Sequence, residues 1–381
     1  MKIKKQQRVA LSTIFFLSGF CFSTWASRIP TIKAFFNFNE AELGNLLMIL
    51  PVSSLVGLPI STWLVSRFNS RIPLLFSFIS YSLALFIIGL AKTLFVLIIG
   101  IALFAFSMRI LNIAMNTQAI TLQNKFNKKI NGSFHGLWSF GGIVGVGFSS
   151  LLIKLQLSIE VHLTIVFVFT LITAIATYKF LLPKDRSTKG NKLVIGKPDP
   201  FIYYLGMLIF LAAICEGGMY DWSGVYFREV LKEEIFTVGY LLFMVFMTFS
   251  RFCSDYLIEK IGMQNTYILS AIFVSLGITI AIVFPYFWPS IIGFCMVGYG
   301  IAPIFPMTFT LAGTSKKYST AMVISIITTY GIAGMFVGPP LIGYLAHAFN
   351  LKAAFVVFIF SGLMLIPISR LFFRHQKRQE E

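Results

Sequence analysis

Acidic residues are scarce in this chain. Only 14 of its 381 residues are Asp or Glu, against 31 Lys or Arg, and Cys and His number four each. The four cysteines, Cys21, Cys215, Cys253 and Cys295, lie in apolar stretches without the spacing of a disulfide framework or a metal site. The sequence also lacks a Gly-x-x-x-x-Gly-Lys-Ser/Thr loop, which excludes ATP hydrolysis at such a loop. We therefore expect no metal, no cofactor and no enzymatic activity.

Long polar segments are equally rare, because hydrophobic residues make up 57% of the chain and charged residues only 12%. The mean hydropathy is +0.83. A hydrocarbon core about 30 Å thick needs roughly 20 helical residues to span it. Stretches such as residues 72–90 meet that requirement, and no water-soluble core could bury so much apolar surface. The composition predicts a polytopic protein of the lipid bilayer.

The apolar stretches predict an all-α integral membrane fold with twelve transmembrane helices. We place the spans at residues 9–28, 41–65, 72–90, 94–121, 132–153, 162–182, 201–225, 236–258, 264–284, 290–312, 319–346 and 353–373. The one long polar break, residues 183–200, is rich in Lys, Gly, Ser and Pro and is typical of a linker. We expect two pseudo-symmetric six-helix bundles, residues 1–182 and 201–381, joined by this cytoplasmic linker.

The net charge of +17 is concentrated in alternate breaks between the spans. This asymmetry follows the positive-inside rule and predicts that both termini are cytoplasmic. No nucleic-acid partner is expected. The basic breaks contain Lys2, Lys4, Lys5 and Arg8; Arg67 and Arg71; Lys125, Lys128 and Lys129; Lys184, Arg186, Lys189, Lys192 and Lys197; Lys260; Lys316 and Lys317; and Arg370, Arg374, Lys377 and Arg378.

The two halves show weak self-similarity, since the stretch from Phe16 to Trp25 resembles the stretch from Phe210 to Trp222. Repeated six-span halves place a solute site between them near the bilayer midplane, and one half rocks against the other to give alternating access. This organisation predicts a monomeric secondary transporter for a small-molecule substrate.

Several features resemble the major facilitator superfamily over essentially the whole chain: the six-plus-six spans, the basic linker, and Arg251-x-x-x-Asp255 followed by Gly262. Residues 25–30, 134–141 and 216–223 are similar to an uncharacterised bacterial inner-membrane branch related to the fucose permeases. The resemblance implies the superfamily fold and suggests a sugar as the solute. The superfamily loop Gly-x-x-x-Asp-Arg-x-Gly-Arg is reduced to Thr-x-x-x-Ser-Arg-Phe-Asn-Ser at residues 62–70.

A polar stripe is predicted on the fourth span. Asn112 and Asn116 follow Arg109 by three and seven residues, which places the three within roughly 60° of one another on a helix. Because a charge inside a span is costly, we expect it to face a wet cavity. The stripe is a candidate for substrate binding or gating; the alternative is a polar lock between helices.

The seventh span carries two carboxylates, Glu216 near its middle and Asp221 toward its outer end. Five residues rotate them about 140° apart on a helix, so they are not a paired-carboxylate site. We interpret both as proton-coupling candidates, because burial that alternates between states changes the proton affinity of a carboxylate. The alternative for Glu216 is a permanent ion pair with Arg109.

His135 opens the fifth span, with Trp138 on the same face. This pair is a candidate for solute binding or gating, and a capping or packing histidine is the alternative. The repeat-related Trp25 and Trp222 are candidates for stacking on a sugar ring. The alternative is that they belong to an interfacial aromatic belt. Arg28 is interpreted either as an outer gate or as a side chain that extends to the headgroups.

The tenth span contains Pro303 and Pro306, which predict a broken or kinked helix. Such breaks often line cavities, so Tyr299 is a candidate site residue. Arg251 and Asp255 lie one helical turn apart and are predicted to form a cytoplasmic gate.

We expect a secondary active transporter that moves a small polar solute, a sugar or an organic acid, in exchange for or together with protons. The alternative is a proton-driven exporter of drugs or lipophilic metabolites, whose cavity the 42 Phe would suit. A non-transporting membrane sensor is least favoured, because the sequence has no soluble effector segment.

Overall fold

The computed structural model describes residues 2–123, 125–126, 130–183, 199–315, 317–318 and 320–380. Most of the predicted linker therefore lies outside the described residues. The elements are all helical: α1 (Lys2–Phe35), α2 (Glu40–Leu47), α3 (Ile49–Arg67), α4 (Arg71–Leu90), α5 (Leu94–Gln123), α6 (Asn131–Lys154), α7 (Ile159–Tyr178), α8 (Pro200–Glu229), α9 (Val238–Val283), α10 (Phe287–Ile301), α11 (Ile304–Ala312), α12 (Thr320–Ala348), α13 (Leu351–Ala354) and α14 (Val356–Glu380).

Eleven helical segments in the described part are long and apolar enough to cross a membrane, and a shorter apolar helix covers Val238–Ser254. An α-helix satisfies its backbone hydrogen bonds within one segment, which a strand or loop exposed to lipid does not do. The predicted all-α membrane fold is confirmed. The segments are Ile3–Phe35, Glu40–Val65, Arg71–Leu90, Leu94–Gln123, Ser133–Lys154, Ile159–Tyr178, Pro200–Glu229, Tyr256–Val283, Phe287–Ala312, Met322–Ala348 and Leu351–Arg378.

Two predicted interruptions are present. Gly262 breaks α9 with a φ of 79° and a ψ of 159°, a conformation that glycine adopts without the Cβ clash of other residues. The predicted gap between the eighth and ninth spans falls at this bend. In the tenth span, α10 ends at Ile301 and α11 begins at Ile304, with Pro303 between them. The expected break is confirmed, because proline lacks the N–H that would continue the helix.

The predicted bounds of the first span are wrong. The first helix extends well past residue 28 to Phe35, because Ile29, Ile32 and even Lys33 are buried there. The second span has its predicted extent, Glu40–Val65, but its helix is interrupted at Met48, since α2 ends at Leu47 and α3 starts at Ile49.

The start of α2 has a capping box. Asn39 Oδ1 accepts from the Glu42 N–H at 2.9 Å, and Glu42 Oε2 accepts from the Asn39 N–H at 2.9 Å. The box satisfies two backbone donors that would otherwise have no partner. It explains why a helix begins here, although it does not explain the interruption at Met48.

The chain forms two compact units. Unit 1 comprises Met1–Phe36 and Ile49–Asn191, and unit 2 comprises Asn37–Met48 and Lys192–Glu381. In unit 1, α1 packs along α6, while α5 packs against α3 and α4, and α4 against α7. A Cβ on Gly19 would collide with the Trp138 carbonyl, and one on Gly141 with the Phe16 carbonyl. The contact between α1 and α6 is therefore backbone against backbone.

Unit 2 is built around α8, which contacts α12, α14, α11 and α9. Most of its residues are buried, including the whole stretch from Leu211 to Phe227. The short helix α2 packs on α12 in the same unit. There the Tyr344 hydroxyl donates to Asn45 Oδ1 at 2.8 Å. A polar group that lies within the buried stretch of α8 must find its partners on these neighbouring helices.

Candidate functional site

Buried carboxylates are confined to α8 in the described part of the chain. Glu216 is 7% exposed and Asp221 is 9% exposed. The helix is continuous through Gly217 and Gly218, so the predicted separation of about 140° between the two carboxylates holds. They occupy two different environments.

Glu216 accepts two hydrogen bonds through one oxygen, Oε1. The Tyr220 hydroxyl donates to it at 2.6 Å, and Arg251 Nη2 donates at 3.4 Å. Tyr220 lies one turn along α8, whereas Arg251 comes from α9. Met247 lies beside both donors, with its Sδ 3.8 Å from the Tyr220 hydroxyl and 3.9 Å from Arg251 Nη2. We call Glu216, Tyr220, Met247 and Arg251 the α8–α9 cluster.

The α8–α9 cluster contains a partly exposed ion pair that lies beside buried aromatic side chains. The Glu216 side chain is 10% exposed and that of Arg251 is 34% exposed. The Tyr220 ring packs edge-on against Tyr240 and Phe243, each at 5.8 Å between centroids. A hydroxyl donating to a carboxylate is a strong, charge-assisted bond, while the longer bond from Arg251 is the weaker of the two. Breaking the bond from Arg251 to Glu216 therefore costs less free energy than breaking the bond from Tyr220.

Asp221 has no hydrogen-bond or ion-pair partner among the described residues, and it is nine-tenths buried. It lies seven residues after Ile214 and four after Gly217, which both contact α12, so it shares the face of α8 that packs on that helix. A buried carboxylate without a partner is stabilised by carrying a proton.

The helical spacing in the sequence did not indicate Arg251 as the partner of Glu216. It placed Arg251 with Asp255, whose side chain lies outside the described part of the structure, so that gate stays a prediction. A helical pattern reveals neighbours one turn away on the same helix, and Arg251 is 35 residues from Glu216. The only indication in the sequence was Glu216 itself, because a carboxylate within a span is expected to have a cation nearby.

The polar stripe of α5 lies in unit 1. Arg109 is half-buried and donates through Nε to Ser54 Oγ at 2.8 Å, and the Asn116 amide donates to the Asn112 carbonyl at 2.8 Å. Within unit 1, no described carboxylate pairs with Arg109. Since Ser54 takes only one N–H of the guanidinium, donors are left for a polar solute.

A second buried arginine in unit 1 has a partner that the sequence did not suggest. Arg28, 4% exposed, donates through Nε to His162 Nδ1 at 2.9 Å and through Nη2 to the Leu157 carbonyl at 3.0 Å. The interpretation that Arg28 extends to the headgroups is wrong, because its side chain is buried. Accepting at Nδ1 makes His162 neutral with its proton on Nε2, and that nitrogen is buried without a partner among the residues that the structure describes.

The remaining candidates do not form one site. His135 is exposed with its ring 5.6 Å from Phe15, and Trp138 is half-buried near Phe22. Trp25 and Trp222 are both buried, at 1% and 0% exposure, and each indole N–H has no partner in the described structure. Their position is unlike an interfacial belt, and stacking on a solute stays a prediction.

Tyr299 is half-buried and lies two residues before the end of α10. Its ring centroid is 5.1 Å from that of Phe273. Its carbonyl accepts from the Ser250 hydroxyl at 2.7 Å, which ties α10 to α9. In the described residues, no group of three His, Cys, Asp or Glu side chains could hold a metal ion.

Outside the spans, Asp199 caps the start of α8. Its Oδ1 accepts from the Phe201 N–H at 2.9 Å, and Oδ2 accepts from Lys317 Nζ at 3.0 Å and the Tyr318 hydroxyl at 3.2 Å. Burial raises the pKa of Asp199, but the bonds from Lys317, Phe201 and Tyr318 outweigh it and lower the pKa below 3.8. The bond to Asp199 raises the pKa of Lys317 above 10.5.

Comparison with known proteins agrees with this architecture. An uncharacterized MFS-type transporter of Yersinia pestis is 30% identical over 351 residues, which cover 92% of this chain and 91% of that protein. Membrane protein MosC of Rhizobium meliloti is 27% identical over 384 residues, 99% of this chain and 93% of that protein.

Two kinds of solved structure share the fold. A bacterial homolog of the human lysosomal transporter Spinster superposes with a TM-score of 0.77 at 16% identity, covering 98% of each chain. The nucleoside transporter NupG superposes with a TM-score of 0.76 at 14% identity, covering 98% of this chain and 99% of that one. The profile of the Major Facilitator Superfamily matches residues 11–331. The chain belongs to the Major Facilitator Superfamily and is a multi-pass membrane transport protein rather than an enzyme.

Proposed function

We propose that the protein couples the movement of a small polar solute, such as a sugar or an organic acid, to protons, and that Glu216 carries the coupling proton. The observation that supports this most directly is the pair of bonds to Glu216 Oε1 from Tyr220 and Arg251. Isolated charges within a membrane cost several kcal/mol, so those present usually mark a pathway.

Protonation of Glu216 changes what holds the cluster together. The charged carboxylate attracts Arg251, while the neutral acid gives up that attraction and keeps a hydrogen bond to Tyr220. Since Arg251 is the more exposed partner at 34%, it can turn toward water when Glu216 is protonated. Proton binding therefore frees a link between α8 and α9, and freeing such a link shifts the balance between conformations.

Asp221 is proposed as a second proton carrier, because it is buried and has no partner in the described part of the chain. The polar stripe of Arg109, Asn112 and Asn116 is proposed to bind the solute, since its guanidinium and amides offer fixed donors. A permanent ion pair with Arg109 stays the alternative for Glu216. Trp25, Trp222, His135, Trp138 and Tyr299 stay candidates for solute contact or gating, and we propose that the transporter works as a monomer.

The proposed setting is the bacterial inner membrane. We propose that both termini are cytoplasmic, because the basic residues are concentrated in alternate breaks between the spans, as the positive-inside rule describes. Two six-helix halves, residues 1–182 and 201–381 with the linker between, are proposed to move against each other during alternating access.

The test uses purified protein in liposomes that contain a pH-sensitive dye. A panel of sugars, organic acids, nucleosides and lipophilic cations is added outside, and proton movement is recorded for each. We expect one polar class to drive proton entry with the wild type. Glu216→Gln should abolish this coupled proton flux while retaining exchange of labelled solute across the membrane.

Glu234→Gln is the matched control, because it makes the same chemical change at an exposed position. It should leave both readouts unchanged. Coupled proton entry that persists in Glu216→Gln would contradict the role of Glu216. Proton flux in response to lipophilic cations alone would favour the exporter instead.

A further inference from the structure

Unit 1 contains a cavity of about 530 Å³ between the N-terminal half of α1 and the beginning of α6. It lies entirely within unit 1, whereas Glu216 belongs to unit 2. The cavity is lined by Lys5, Arg8, Val9, Ser12, Thr13, Phe16 and Leu137.

The charged part of the lining is purely basic. Lys5 and Arg8 lie three residues apart, so they occupy the same face of α1. Arg8 is held by neutral groups, since Nη2 donates to Ser133 Oγ at 3.4 Å and the guanidinium carbon lies 6.0 Å from the Phe126 ring centroid. Among the described residues, the lining includes no carboxylate. The positive charge of this wall is therefore available to a ligand.

The lining changes character along α1, from charged to polar to apolar side chains. Ser12 and Thr13 follow the two cations by one turn, and the Thr13 hydroxyl donates to the Val9 carbonyl at 3.0 Å, which leaves its oxygen free to accept. Beyond the hydroxyls, Phe16 and Leu137 form an apolar wall. A ligand that satisfies the whole cavity carries a negative group at one end and an apolar group at the other.

We propose that this cavity binds an anionic amphiphile, with its acidic head group on Lys5 and Arg8 and its apolar part against Phe16 and Leu137. Two sources have this chemistry: an acidic phospholipid of the surrounding bilayer, and a soluble organic acid with an alkyl chain. A small inorganic anion lacks the apolar part, and a zwitterionic lipid lacks the net charge.

The experiment measures binding to the full chain in an uncharged detergent by native mass spectrometry and by thermal shift. The probes are a phosphatidylglycerol, a phosphatidylcholine of the same chains, decanoate and inorganic phosphate. A basic side chain near an anionic surface contributes on the order of a fivefold change in affinity. The double variant Lys5→Gln/Arg8→Gln should therefore bind phosphatidylglycerol about thirtyfold more weakly.

The control Lys4→Gln/Lys154→Gln removes two charges from outside the cavity, where Lys4 and Lys154 are both exposed. It should bind phosphatidylglycerol as the wild type does. Ser12→Phe keeps both charges but fills the space, and should weaken phosphatidylglycerol and decanoate alike. Lys5 is exposed and Arg8 is half-buried near the start of α1, so we expect the double variant Lys5→Gln/Arg8→Gln to fold. This variant tests the proposal even if Ser12→Phe does not fold.

The outcomes separate the sources. Tight phosphatidylglycerol binding without decanoate binding identifies a lipid site, and decanoate that displaces the lipid identifies a site for a soluble amphiphile. The proposal is overturned if both double variants lose affinity equally, if phosphatidylcholine binds as tightly, or if inorganic phosphate matches phosphatidylglycerol. A transporter that moves no tested solute would leave this binding result unaffected.

Discussion

The hydroxyl of Tyr220 lies 2.6 Å from Oε1 of Glu216, one helical turn away on α8. This bond spans i to i+4, so the helix itself holds the donor in place, and the aromatic contacts with Tyr240 and Phe243 fix the ring. Arg251 reaches the same oxygen from α9. The carboxylate thus has one permanent partner on its own helix and one partner that can be exchanged.

Tyr220→Phe removes the permanent partner and keeps the ring. We expect it to destabilise the protein by about 1.5–3 kcal/mol, the usual contribution of a hydrogen bond to a charged group. Thermal unfolding in detergent measures the change. Tyr256→Phe, at a 66% exposed ring, is the control and should melt as the wild type does; equal melting of the two variants would show that the 2.6 Å bond adds no stability.

His162 provides a similar test in unit 1. His162→Phe removes the acceptor for Arg28 Nε and should destabilise the protein by about 1–3 kcal/mol, because a buried charged donor is left unsatisfied. His162→Gln offers an amide oxygen in the same region and should recover part of the loss. If both variants melt alike, the hydrogen bond from Arg28 is not what His162 contributes.

The membrane spans could be predicted because each is a local property of the sequence. Twenty apolar residues satisfy their own backbone bonds, whatever lies beside them. The bend at Gly262 and the break at Pro303 were likewise predictable, since one residue alone permits or enforces each. No distant contact is needed to explain these features.

Contacts between helices could not be predicted in the same way. Arg251 and Glu216 are 35 residues apart, and Arg28 and His162 are 134 residues apart. A single sequence gives the face of a helix on which a residue lies, but not the helix that covers this face. The sequence also gave no sign that Asn37–Met48 would pack with unit 2, because this depends on a close approach to α12 at Gly343.

The contact between α1 and α6 predicts opposite effects for two glycines of one helix. Gly141→Ala places a methyl group onto the Phe16 carbonyl and should destabilise the protein by about 1–3 kcal/mol, the usual cost of overpacking. A Cβ at Gly147 meets nothing within 4 Å, so Gly147→Ala should be neutral or stabilising by up to about 1 kcal/mol. Thermal unfolding of the two variants compares them directly. A stable Gly141→Ala protein would mean that α1 and α6 can separate without cost.

The Asp199 cap makes part of the stability depend on pH. Because the pKa of Asp199 is lower in the folded protein than its ordinary 3.8, its charge stabilises the fold above about pH 4, and this contribution is lost as the pH falls through the folded pKa. Asp199→Asn keeps a good helix cap but removes the charge. The wild type should melt higher than Asp199→Asn at pH 7, and the difference should shrink toward pH 3.

Lys317 gives the opposite sign at the alkaline end. Its pKa is raised above 10.5 in the folded protein, so its contribution is present below that pH and is lost as the pH rises through the folded pKa. Lys317→Met should therefore melt below the wild type at pH 7, and the difference should shrink as the pH rises through the folded pKa of Lys317. Combining Lys317→Met with Asp199→Asn should cost less than the sum of the two single changes at pH 7, because both remove the same ion pair. Glu234→Gln, which alters an exposed acid, should leave the pH profile unchanged; strict additivity of the double variant would show that Lys317 and Asp199 act independently.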